Sequence, residues 1–217
     1  MDDRAALLEA IFAAPDDDAP RLIYADWLDE HDEPAQAALI RAQVLSPQIR
    51  PDTTTLPLEI WEAYLAEVSE YLATEVLSID YSRGFLRSPL ILPVERFRDI
   101  SGRWWPRVPV RALAIDLTSR NIHMFVRIPY LTRLTELVAY GEDPHGLVIP
   151  ILARCHLLRN LERLDLSMFT LGTEGAEALA NSTIFEKLTS LQMPFTMRPN
   201  REAGRLLRRR FGDACQF

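Results

Sequence analysis

Leu161-Glu162-Arg163-Leu164-Asp165-Leu166-Ser167 alternates from Arg163 onward, with Leu164 and Leu166 apolar and Arg163, Asp165 and Ser167 polar. Successive side chains of a β-strand point to opposite faces, so this stretch reads as a short strand with its leucines inward and Arg163, Asp165 and Ser167 outward. One such strand cannot cover its own apolar edge, and its neighbours must come from elsewhere in the chain.

The same pattern recurs in Val110-x-x-Leu113-x-Ile115, Leu134-x-x-Leu137-x-Ala139 and Leu188-x-x-Leu191-x-Met193, so that the four starts are separated by 24, 27 and 27 residues. Four repeats exceed the usual minimum of about three for a stable stack. Helical arcs are expected to return each strand to the next. Thr173 is placed to cap a helix that turns Ala176, Leu179 and Ala180 inward, and Pro144 to open one carrying Leu147, Ile151 and Leu152. Gly84 to Leu92 supplies an irregular preceding strand. Arg201 to Arg210 reads as a helix stopped by Gly212, and Ala214 to Phe217 as a last strand.

The N-terminal texture differs. Leu7, Leu8, Ile11 and Phe12 fall at helical spacing, and the helix stops near Ala14-Pro15. Asp16-Asp17-Asp18 and Pro20 punctuate the start of a second helix, in which Ile23, Trp27 and Leu28 form the buried side and Asp26, Asp29 and Glu30 the wet one. Asp26 and Glu30 stand four residues apart, within a turn of each other, but His31 is off their stripe; ion pairs with arginines such as Arg41 account for these acids better than a metal does. Pro34 opens a third helix through Ala37, Leu39, Ile40 and Val44. A longer amphipathic pattern runs from Pro57 through Ile60, Trp61, Tyr64, Leu65, Val68 and Leu72 to Val76.

With 217 residues, 48% hydrophobic and 25% charged, the chain suits one large globular domain or two small ones. No apolar run reaches about 18 residues, and Met1-Asp2-Asp3-Arg4 is acidic where a leader is basic, so a cytoplasmic protein is expected. Cys155 and Cys215 are too few for a disulfide framework. The net charge of -7 opposes general nucleic-acid binding, but it is uneven: residues 1–40 hold eleven acids and two arginines, whereas Arg198 to Phe217 holds six arginines and two acids.

Two resemblances follow. RLIYADWLDEH, followed by a proline and ALIRAQ, resembles the repeat-companion domain found at the start of many planctomycete proteins, over residues 1–46, with Asp32 standing where that family has a glycine. The repeats resemble leucine-rich repeats of the ribonuclease-inhibitor type over about residues 108–217, most closely in LERLDLSMFTLGTEGAEALANS (Leu161 to Ser182), although the family's turn asparagine would fall at Phe169. Together they imply a noncatalytic recognition scaffold with no catalytic residue, metal or cofactor to carry over.

The expected fold is therefore α/β: an N-terminal helical region and linking helix over residues 1–80, then a short leucine-rich solenoid with a parallel sheet and a C-terminal cap over residues 81–217. Outward positions on the strands would be Ala112, Ala114 and Asp116, then Glu136, Val138 and Tyr140, then Arg163, Asp165 and Ser167, and last Ser190 and Gln192. Of these, Glu136, Tyr140, Arg163, Asp165, Ser167 and Gln192 are the candidate partner-binding residues, with a protein as the expected partner. Two alternatives stand beside it: nucleic-acid association through the arginine-rich C-terminal helix, and a hydrolase using Cys155 and His156, although neighbours on a helix point about 100 degrees apart. No GxSxG elbow or glycine-rich phosphate loop is present.

Overall fold

The computed structural model describes residues 3–14, 17–46, 81–82, 85–86, 90–104, 111–141, 143, 146–169, 172–194 and 202–216. The amphipathic pattern from Pro57 to Val76 lies outside them. The chain forms two compact units, Met1–Ser88 with Gly102–Val110, and Pro89–Ser101 with Arg111–Phe217.

The first unit holds α1 (Asp3–Ala13), α2 (Ala19–Glu30) and α3 (Pro34–Leu45). Leu8, Ile11, Tyr24, Ala25, Leu28, Ala37 and Ile40 form one buried cluster, with Leu7, Phe12, Trp27 and Val44 packed at its margin. The inward face of α2 is Arg21, Tyr24, Ala25 and Leu28, spaced i, i+3, i+4 and i+7. This corrects the expected face, because Ile23 is 56% exposed. Choosing Ile23 over Arg21 follows polarity, whereas the helix period selects Arg21, whose guanidinium reaches back to the Asp17 carbonyl at 2.7 Å. The wet face is as expected: Arg41 pairs with Asp26 and with Asp29, each at 2.7 Å.

Arg4, Trp27 and Glu33 bind the three helices together. Arg4 on α1 donates two hydrogen bonds to the Glu33 carboxylate, at 2.8 and 2.9 Å, and lies 5.7 Å from the centre of the Trp27 ring. Trp27 in turn stacks on His31 with ring centroids 3.8 Å apart. At the end of α2, Asp32 has φ +61 and the Glu33 N–H donates to the Leu28 carbonyl at 2.9 Å, which is the six-to-one bond of a Schellman stop. An L side chain in the left-handed region costs up to about 1–2 kcal/mol, less for aspartate. Asp32→Gly is therefore expected to raise the thermal unfolding midpoint, with a gain of up to about 1 kcal/mol after the extra chain entropy of glycine is subtracted; an unchanged or lower midpoint would count against this account.

The expected irregular strand from Gly84 to Leu92 divides. In the first unit β2 (Phe85–Leu86) pairs antiparallel with β1 (Tyr81–Ser82), while β3 (Leu90–Leu92) opens the sheet of the second unit. That sheet continues through β4 (Ala112–Asp116), β5 (Glu136–Tyr140), β6 (Arg163–Asp165), β7 (Ser190–Gln192) and β8 (Cys215–Gln216), every pair parallel and the order that of the chain. Leu90, Leu113, Leu137, Leu164, Leu191 and Cys215 stand opposite one another in an unbroken row. Leu113, Leu137, Leu164 and Leu191 are almost wholly buried. Each buried leucine stabilises the unit by roughly 1.5–3 kcal/mol.

Short helical segments join the strands: α4 (Val94–Trp104), α5 (Ile122–Phe125), α6 (Val148–Leu152), α7 (Thr173–Ala180) and α8 (Glu202–Phe211). Phe97, Phe125, Leu152, Leu179 and Leu207 from these segments are buried. The caps differ from expectation. Gly172, not Thr173, precedes α7, and no side chain caps it. The helix expected to open at Pro144 starts at Val148, where the buried Asp143 carboxylate accepts the N–H groups of Leu147 and Val148 at 2.9 and 2.7 Å and leaves Leu147 exposed. Gly212, at φ +58, follows α8 and β8 succeeds it, as the sequence predicts.

Candidate functional site

The side chains between the buried rows form one face of the sheet. On β5, Leu137 and Ala139 are buried while Glu136, Val138 and Tyr140 are half-buried, which is the alternation that period two demands. Register then sets Arg163 beside Glu136, Asp165 beside Val138, Gln192 beside Asp165 and Asp116 beside Tyr140. All six candidate residues thus lie on or at the end of one row of adjacent strands: Glu136, Tyr140 and Asp165 half-buried, and Arg163, Ser167 and Gln192 exposed. Ala112 and Ala114, expected outward, are only 5% exposed. An alanine reaches little beyond the backbone, and here each stands in register with a larger residue, Glu136 or Val138, about 4.8 Å away.

Arg163 donates through Nε to Glu136 Oε2 at 2.8 Å and through Nη2 to the same oxygen, so this pair cancels its own charge. The Ser167 N–H donates to Asp165 Oδ1 at 2.8 Å, fixing that carboxylate at the end of β6. Burial pushes the Tyr140 hydroxyl above its ordinary pKa, and the negative charge of Asp116 adds to the shift. Gly141 follows with φ +133, and a Cβ there would lie 2.5 Å from the Leu117 carbonyl oxygen and 2.6 Å from Asp116 Oδ1. Gly141 also bridges to Phe169, bringing the turns after β5 and β6 together.

Two contributors escape a reading by pattern. Met168, 76% exposed, stands just before that bridge, although its residue type suits a core. The turn after β4 is bonded by Asn121, which accepts the Thr118 N–H at 2.8 Å and donates to the Asp116 carbonyl at 2.9 Å. It does from three residues further along what the repeat pattern assigns to the position of Thr118, while Phe169, at that position after β6, is buried. The asparagine at position 121 was the available signal.

Cys155 and His156 are not assembled as a nucleophile and base. The Cys155 thiol is buried, lies 3.8 Å from the Val126 carbonyl and has its pKa pushed up by burial, whereas His156 is exposed. His156 instead lines an open cleft of about 530 Å³ with Arg154, Glu174 and Glu177. On α8, Leu207 is buried and Arg205, Arg208, Arg209 and Arg210 are exposed. Among the described residues no group of three or more His, Cys, Asp or Glu could hold a metal ion, and no helix is long and apolar enough to cross a membrane. No family model matches the chain, and neither a curated protein nor a solved structure does.

Proposed function

We propose that the chain is a noncatalytic scaffold that recognises a protein partner through the outward strand face of a short leucine-rich solenoid, capped by α8 and β8. The observation that carries this reading is the unbroken leucine row together with the open face opposite it. The backbone supports the repeat: Arg111 accepts the N–H groups of Thr135 and Glu136, Thr135 those of Glu162 and Arg163, and Glu162 those of Thr189 and Ser190, the same two-donor join three times over. The face combines an aromatic, an ion pair and amide and hydroxyl groups, a mixture suited to recognition. The step from scaffold to recognition rests on analogy with leucine-rich repeats, and the helical unit is read as their companion.

Affinity capture from the source organism with the full chain tests it. Changing Tyr140 and Arg163 together to alanine is expected to weaken retention of a captured protein roughly tenfold or more, as loss of an aromatic and an arginine anchor does. Undiminished retention by a folded variant would move the site to the helical unit. The exposed arginines of α8 favour a second reading, association with nucleic acid, for which binding to an oligonucleotide must fall steeply with salt.

A further inference from the structure

We infer that the strand face seats a cationic side chain, a lysine or arginine of the partner protein, over Tyr140 between Asp116 and Asp165. This rests on the strand-face reading above and names the chemistry that reading leaves open.

Tyr140 lies on β5, with Asp116 directly opposite on β4 and Asp165 on β6, one outward position back along the strand beside Val138. Adjacent strands are about 4.8 Å apart and residues along a strand about 3.3 Å, so the two aspartates flank Tyr140 from the strands on either side, with roughly 12 Å between their Cα atoms. The other charges of the face, Arg163 and Glu136, are joined to each other. The outward surface of β4 to β6 therefore keeps two uncompensated negative charges, Asp116 and Asp165, neither of which has a cation among the described residues.

The two acids sit in different settings: Asp165 is fixed by a hydrogen bond, and Asp116 is exposed beside a glycine. Asp165 accepts the Ser167 N–H, and the Asp116 carboxylate packs against the Cα of Gly141 where no other residue leaves room. Tyr140 is half-buried on this face, and cations are drawn to aromatic ring faces by about 0.5–2 kcal/mol. The Asp116 potential that opposes loss of the phenol proton favours a positive charge at the same place. Met168, exposed at the neighbouring turn, gives the methylenes of a lysine or arginine an apolar surface. An acidic partner would meet repulsion from both carboxylates, and an apolar one would leave them desolvated.

The test uses the full chain labelled with ¹⁵N and synthetic nonapeptides of one Gly/Ser-rich sequence whose central residue is arginine, lysine, citrulline, acetyl-lysine, glutamate or leucine. Arginine and lysine peptides are expected to shift the amide signals of Tyr140, Gly141 and Asp165 saturably, with the citrulline and acetyl-lysine peptides at least tenfold weaker. Asp116→Asn with Asp165→Asn should abolish that preference, while Asp26→Asn with Asp29→Asn on α2 should leave it unchanged. Saturable shifts of the same amides by neutral or acidic peptides as strongly as by cationic ones would overturn the cation inference and leave the face standing. Binding confined to other surfaces, or no binding by any peptide, would overturn both.

Discussion

Leu137→Ala is expected to destabilise the second unit by about 2–5 kcal/mol. Leu137 is fully buried and lies between Leu113 and Leu164 in the row that crosses the sheet. Removing its three outer carbons costs the transfer free energy of those carbons, and the cavity costs more because neighbours fixed on two adjacent strands cannot close over it. The urea midpoint followed by circular dichroism should fall. Hydrogen exchange should quicken in peptides covering residues 111–141 and 161–169, since all three strands share the lost contact. Val138→Ala, one residue away on the outward face, should cost no more than about 1 kcal/mol. Equal losses from the two changes would mean that the alternation along β5 does not separate core from surface.

Gly141→Ala should be nearly as damaging although it removes nothing. At φ +133 a side chain is strained by about 1–3 kcal/mol. The added carbon also meets the Leu117 carbonyl oxygen and the Asp116 carboxylate at 2.5 and 2.6 Å, and relieving such an overlap costs about 1–3 kcal/mol more. Leu117 cannot give way freely, because its N–H donates to the Tyr140 carbonyl at 2.8 Å and its side chain is buried. A loss on the order of 3 kcal/mol is therefore expected by urea unfolding. Gly102→Ala is the contrast: Gly102 lies within α4 with nothing within 4 Å of the new carbon, and the change should gain about 0.5–1 kcal/mol. A Gly141→Ala protein as stable as the parent would show that the turn after β5 relaxes without cost.

The same residues separate what a sequence conveys from what it does not. Leu164 and Leu166 against Arg163 and Asp165 announce a strand and its faces by alternation alone. The repetition of that signal at 24 and 27 residues corresponds to the row of parallel strands in chain order. On α2 polarity and structure differ at Ile23 and Arg21, because a hydrophobicity scale treats arginine as a surface residue while its long stem can lie inside and its charged end can find a carbonyl. Pro144 and Thr173 were reasonable helix openers by type, yet Asp143 and Gly172 precede those helices, since a cap is decided by which side chain can reach the free N–H groups.

Local chemistry in the sequence determined the three N-terminal helices, the strand rungs, the outward set Glu136, Tyr140, Arg163, Asp165, Ser167 and Gln192, and the closing helix and strand, because periodicity and capping act over a few residues. Tertiary structure alone decided that Ala112 and Ala114 are covered, that Met168 is open to solvent, that Arg4 joins Glu33 and Trp27, and that Asp116 lies beside Tyr140 under a turn only glycine can make. Those facts depend on the register of strands and helices brought together from more than twenty residues apart, and register is set by packing of the whole sheet, which no short stretch of sequence contains.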